Sequence, residues 1–92
     1  MSGGSQPWGA SRGMLLPPEQ LSSPVRAAVV RAAMENGWGE VEVRGWFPPR
    51  DPGDPLEVLV LARQPQGSRW VPLTVLLSSA PSAEVVGVAI GW

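Results

Sequence analysis

The side chains on which acid–base or nucleophilic chemistry would rest in this 92-residue chain are eight carboxylates, Glu19, Glu35, Glu40, Glu42, Asp51, Asp54, Glu57 and Glu84, together with its serines and seven arginines. Histidine, cysteine, lysine and tyrosine are absent. That removes the commonest general base, the thiolate nucleophile, the Schiff-base amine and the phenolic acid at once. A serine with neither His nor Lys to take its proton has no ordinary route to activation, which excludes Ser-His-Asp chemistry and its Ser-Lys variants. Carboxylate-pair hydrolysis is the chemistry left, and it needs two acids flanking a cleft. The eight here are scattered over turns and strand ends, so the expectation is a protein that is not an enzyme. A hydrolase would require Glu40 or Glu42 beside Asp51.

Binding chemistry is equally restricted. Asp51, Asp54 and Glu57 do not follow the Asp-x-Asp-x-Asp-Gly pattern that wraps calcium, and thiolate zinc sites are excluded, so no metal or cofactor is expected. Gly37-Trp38-Gly39 follows a helix instead of opening one and is read as a turn, not a phosphate cradle. Pro49-Arg50-Asp51-Pro52 and Pro52-Gly53-Asp54-Pro55 match PxxP but lie in a Pro-rich connection, read first as a stiff hairpin loop. Five tryptophans, Trp8, Trp38, Trp46, Trp70 and Trp92, stand beside one Phe. With Arg44, Arg50, Arg63 and Arg69, the residues Trp46 and Trp70 would make a stacking and phosphate-contacting sheet surface, the basis of a nucleic-acid alternative. Against it, residues 39–92 carry four Arg and six Asp or Glu, a balance of −2, wrong for affinity that depends on phosphates.

These residues must be positioned by few elements. Residues 1–13 are Gly/Ser-rich and read as a flexible tail or an expression remnant; residues 14–92 read as one small domain. Met14-Leu15-Leu16-Pro17-Pro18 is an apolar, Pro-stiffened arm expected to lie across the core. Ser23 as N-cap, Pro24 in the first turn and Asn36-Gly37 as a stop predict a helix over 24–36. Val25, Val29, Ala32 and Ala33 form its apolar stripe, widened by Ala27, Val30 and Met34, which predicts unusually deep burial.

From residue 39 the period changes to 2 and predicts four strands, 40–47, 56–63, 69–78 and 84–92, separated by turn-forming stretches. Short connections favour antiparallel neighbours. The expected class is α+β, one N-terminal helix packed across a four-stranded, mainly antiparallel sheet in the order α-β-β-β-β. Pro72 in the third strand argues for an edge or a bulge there, hence for a strand order other than the plain one. The architecture is similar to that of cystatin-type inhibitors, although the Gln-x-Val-x-Gly hairpin of that family is missing where Pro48–Pro55 stands.

The first strand alternates apolar and polar residues; the other three are apolar on both faces. One helix covers one face, so the second needs the arm, a second copy or another protein. Gly87, Ala89 and Gly91 suit close approach by an Ala-rich helix, which would turn Val86, Val88, Ile90 and Trp92 outward. The expected function is a non-catalytic protein–protein interaction module, an accessory, inhibitor or adaptor protein of bacterial or phage origin. It would pair with itself, as a homodimer, or with a protein partner through that outer face. Trp70, Leu76, Val86, Val88, Ile90 and Trp92 are the expected anchors, with Arg50 at the rim. Arg-only cation usage and abundant Ala, Gly, Pro and Val suggest the GC-rich source. No apolar run reaches the roughly 18 residues that cross a bilayer, and no signal-peptide pattern opens the chain, so the expected location is cytoplasmic, with no membrane partner.

Overall fold

The computed structural model describes residues 14–49, 51, 53–78 and 84–92, and all that follows concerns these residues. One helix, α1 (Ser23–Glu35), is followed by four strands, β1 (Glu40–Phe47), β2 (Leu56–Arg63), β3 (Val71–Leu77) and β4 (Val85–Ile90). All neighbours are antiparallel and the sheet order is β1-β2-β3-β4, a plain meander. The α+β class and the helix-on-sheet arrangement agree with the sequence reading.

Helix α1 starts one residue earlier than its signals suggest. Ser22 is the extended N-cap residue and Pro24 lies in the first turn, where its missing N–H costs nothing. At the other end the Gly37 N–H donates to the Met34 carbonyl and the Trp38 N–H to the Ala33 carbonyl, the paired bonds of a Schellman stop. Gly39 then donates its N–H to the Arg63 carbonyl, which feeds the chain directly into the β1–β2 ladder.

The core lies between α1 and one face of the sheet. Val29 and Ala33 of the helix meet Val58, Val60, Leu73, Val75 and Leu77, all fully buried, with Leu21 and Ala62 completing the cluster. Register explains the selection: Val43, Val60 and Leu73 form one row across β1, β2 and β3, and Val58, Val75 and Val88 another across β2, β3 and β4. Residues directly opposite share a face, so each row buries together.

Three expectations are corrected. The helix is not unusually deep: only Val29, Ala32 and Ala33 are buried, while Met34 is 51% exposed, because a single sheet face covers one stripe of a helix and no second layer covers the rest. Pro72 does not displace β3 to an edge. It pairs with Leu61 and lies at the end of the β3–β4 ladder, where its carbonyl accepts the Gly91 N–H at 2.8 Å. The donor that proline lacks would have served the Gly91 carbonyl, and the Thr74 hydroxyl donates there instead, at 2.6 Å.

The arm does not cross the core either. Leu16 exchanges two backbone hydrogen bonds with Trp46, 2.8 and 3.1 Å long, so the arm runs along the outer edge of β1. The Trp46 indole N–H fixes it further by donating to the Pro17 carbonyl.

Candidate functional site

The face of the sheet away from α1 is where the sequence reading placed its anchors. Its middle is closed by the chain itself. Leu59 and Thr74, opposite each other on β2 and β3, are 5% and 8% exposed. On the β1 side the arm reaches over: a β-carbon added at Gly45 would sit 2.9 Å from Leu15 Cδ1 and 3.1 Å from the Leu16 carbonyl oxygen. Gly45 stands opposite Leu59, after a bulge that follows Val43, so only a residue without a side chain leaves room for Leu15 on this face. Gly45→Ala is therefore expected to push the arm off β1, lowering stability by about 1–3 kcal/mol and exposing a second sheet edge. Faster amide exchange at Leu16 and Trp46 in the variant checks this; unchanged protection there refutes it.

On the β4 side the cover is Trp92. Gly91 has a left-handed backbone, φ +111°, which turns the chain back over Thr74, the residue whose hydroxyl bonds the Gly91 carbonyl. The Trp92 indole N–H then reaches the carbonyls of the paired residues Leu73 and Val60, at 2.9 and 3.2 Å. Trp92 is thus a half-exposed clamp across two interior strands. Trp70 is also engaged, its ring lying 4.8 Å from the Arg63 guanidinium carbon, and Arg63 in turn ion-pairs with Glu40 directly across the ladder. Leu76, opposite Gly87, is half-buried.

Strand β4 is oriented the other way from expectation. Val88 pairs with Val75, faces α1 and packs against the core, whereas Gly87 and Ala89 lie on the far face opposite Leu76 and Thr74. The cause is the register with β3, which pairs Val88 with Val75 and Ile90 with Leu73; Val85 pairs with Leu77 and Gly87 with Leu76, so Val86 is an extra, bulged residue at which the parity of β4 is reset. Of the residues expected to point outward, Val86 and Ile90 are the open ones, 63% and 76% exposed. Ile90 shares its rung with buried Leu73 but has no further strand beside it. Arg50 lies outside the described residues.

The two edges of the sheet differ. β1 is charged along its length by Glu40, Glu42 and Arg44, bulged, and partly covered by the arm. β4 reads Val-Val-Gly-Val-Ala-Ile, without a charge or a proline, and its one irregularity is the bulge at Val86, at the start of the strand. Alternate residues of an antiparallel strand aim their backbone groups at alternate sides. Since the Gly91 N–H bonds β3, the N–H and C=O groups of Val88 and Ile90 point outward, away from the sheet. The uncharged stretch beyond that bulge, Gly87–Ile90, is a template for another strand, of the kind that natural sheets usually block.

The remaining surface offers less. Arg44 is ion-paired with Glu42 and Arg63 with Glu40, which engages two of the four arginines of the phosphate-contacting reading, while Arg69 is exposed, two residues before β3. Trp46 is half-buried against the core. Glu40 and Glu42 lie seven and five residues along an extended strand from Phe47, roughly 23 and 17 Å from the start of the connection that holds Asp51, so no cleft brings these carboxylates together. Among the described residues no cluster of three acidic side chains forms, and no helix is long and apolar enough to cross a membrane. A shallow hollow of about 590 Å³ between α1 and β1, lined by Ala27, Val30, Met34 and Val43 with Arg26 and Arg31 beside them, was not signalled by the sequence reading. Its clue was the surplus apolar width of the helix.

No protein-family model, curated protein or solved structure matches this chain.

Proposed function

We propose that this chain is a non-catalytic protein–protein interaction module, an accessory, inhibitor or adaptor protein, that takes up an extended protein segment along β4. The observation that supports the reading is the contrast between the two edges. Both edge strands carry a bulge, but the β1 edge is also charged and partnered by the arm, while β4, beyond its bulge at Val86, presents outward backbone groups at Val88 and Ile90 beside the exposed Ile90 side chain. Strand addition draws affinity from backbone hydrogen bonds and specificity from the alternate side chains beside them. The anchors are thereby narrowed to Val86 and Ile90, with Val88 contributing its backbone.

Ile90→Glu tests the reading, because a charge on an edge strand is the usual device against pairing and the position is open enough to leave the fold intact. Wild-type protein is expected to retain a protein, itself or another, that the Ile90→Glu variant loses, with equal melting temperatures for the two isolated chains. Equal retention by both, or retention of nothing by either, refutes the reading.

A further inference from the structure

We infer that the hollow between α1 and β1 binds a single-chain amphiphile with an anionic head, of the fatty-acid class; this is a second site, on the helix side of the sheet, and does not rest on the edge reading. The hollow holds about 590 Å³, within the range of roughly 300–1,000 Å³ of small-molecule sites, which are mostly apolar with a few polar groups that fix orientation. Ala27, Val30 and Met34 of the helix line it together with Val43 of β1. Helical spacing brings them together: steps of three and four residues stack the side chains of 27, 30 and 34 in one stripe about 10 Å long. Ala27 and Met34 are exposed and Val30 is half-buried, so no described element covers this stripe. Met34 is 51% exposed, and its unbranched thioether moulds to an irregular apolar partner, as a flexible acyl chain requires.

Charge selects the head group. Arg26 and Arg31 border the same hollow. Among the described residues the strand arginines Arg44 and Arg63 are each held by a carboxylate, whereas neither of these two helix arginines has an ion-pair partner. Both guanidiniums are therefore free to meet an anion, and Arg26 is half-buried, where an opposite charge is less screened by water. The one acid on the hollow is Glu35, a turn beyond Arg31 and next to Met34. A carboxylate head is drawn to Arg26 and Arg31 and repelled from the Glu35 end, which lays the acyl chain along the stripe from Val30 to Met34. Two guanidiniums disfavour a cationic head. A sugar or nucleotide would find few partners, because apart from these three charged residues the lining carries no hydrogen-bonding side chain.

Calorimetric titration of the full chain with dodecanoate, kept below its micelle concentration, tests the site. One-to-one binding is expected, with dodecyltrimethylammonium and dodecyl maltoside tenfold or more weaker. The double variant Arg26→Glu, Arg31→Glu is expected to lose tenfold or more in dodecanoate affinity and to reverse the preference in favour of the cationic amphiphile, which loss of packing alone would not produce. Met34→Glu, at an exposed position, is expected to weaken dodecanoate tenfold or more. In wild-type protein the amide signals of Val30 and Val43 should shift on binding while those of Val88 and Ile90 stay. Ile90→Glu is expected to bind dodecanoate as wild type does, so this site and the β4 edge stand or fall separately. Absence of dodecanoate binding, equal binding of anionic and cationic amphiphiles, or binding that survives the hollow variants and is lost with Ile90→Glu overturns the inference. Retention on phosphatidylglycerol vesicles without uptake of the free acid overturns it as well, since the ligand is then a membrane surface. Thermal melts of each variant establish that the chains are folded.

Discussion

Leu73→Ala is expected to lower the melting temperature by roughly 10 °C or more and to cost about 2–5 kcal/mol. Leu73 is fully buried, sits at the crossing of the β1–β2–β3 row with the rung to Ile90, and belongs to the cluster that packs under Val29 and Ala33. The cavity it would leave is bounded by valines and by backbone held in the ladder, groups that cannot collapse far to fill it. A domain of this size has a total stability on the order of 4–11 kcal/mol, so the loss is a large share of the whole. The same residue also fixes Trp92, whose indole N–H bonds its carbonyl, so disorder at Leu73 should reach the outer face and shift tryptophan fluorescence along with the circular-dichroism melt. Ile90→Ala, on the same rung but 76% exposed, is the control and should change the stability of the isolated chain by less than about 0.5 kcal/mol. A Leu73→Ala melt within about 3 °C of wild type would contradict this account of the core.

The elements were legible because the physics that forms them is local. Strand bounds at Glu40–Phe47 and Leu56–Arg63 follow from apolar patterning and flanking Pro and Gly, and the helix stop follows from Asn36-Gly37. What escaped depended on register. Which side of β4 faces the helix was argued from the small residues Gly87, Ala89 and Gly91, a sound argument about close packing. Yet the parity of β4 is set by the Val75–Val88 pair and switches at the bulged Val86, and a bulge leaves no mark on a sequence with apolar residues on both faces. Pro72 misled for a related reason. A proline excludes one ladder bond, not a whole strand, and here the missing bond falls on the last rung, where Thr74 substitutes.

The candidate site was half legible for the same reason. Apolar residues on both faces of β2 to β4 signalled surplus hydrophobic surface, and Val86 and Ile90 are indeed exposed. The inference that this surplus forms an open outer face failed at Gly45 and Trp92. The arm and the chain after Gly91 fold over that face from opposite sides, and neither contact has a sequence period. The surplus that is left lies at an edge, where backbone as well as side chains is on offer. Surface of that kind favours a strand as partner over a flat docking face.

Val88→Glu separates the two roles that β4 combines. Read as an outward anchor, Val88 would behave like Ile90, and a glutamate at either position would abolish association while sparing the fold. The structure sets them apart. Val88 is half-buried against Val75 and the core under α1, so a carboxylate there loses the packing of the valine and meets no compensating donor among the core residues, at a cost of about 2–4 kcal/mol. Ile90 is two residues further on the same face, at the open end of the strand, where a carboxylate stays in water. The expected result is therefore asymmetric: Val88→Glu lowers the melting temperature by about 10 °C or more, and Ile90→Glu leaves the melt of the monomer unchanged while removing edge-dependent binding. Val88→Ala, which keeps the outward N–H and C=O, should reduce stability moderately yet preserve binding once the chain is folded, because the proposed strand addition would use the backbone of residue 88 and not its side chain. Equal melts for Val88→Glu and Ile90→Glu would mean that β4 faces the other way, and the edge reading that rests on Val88 and Ile90 would lose its basis.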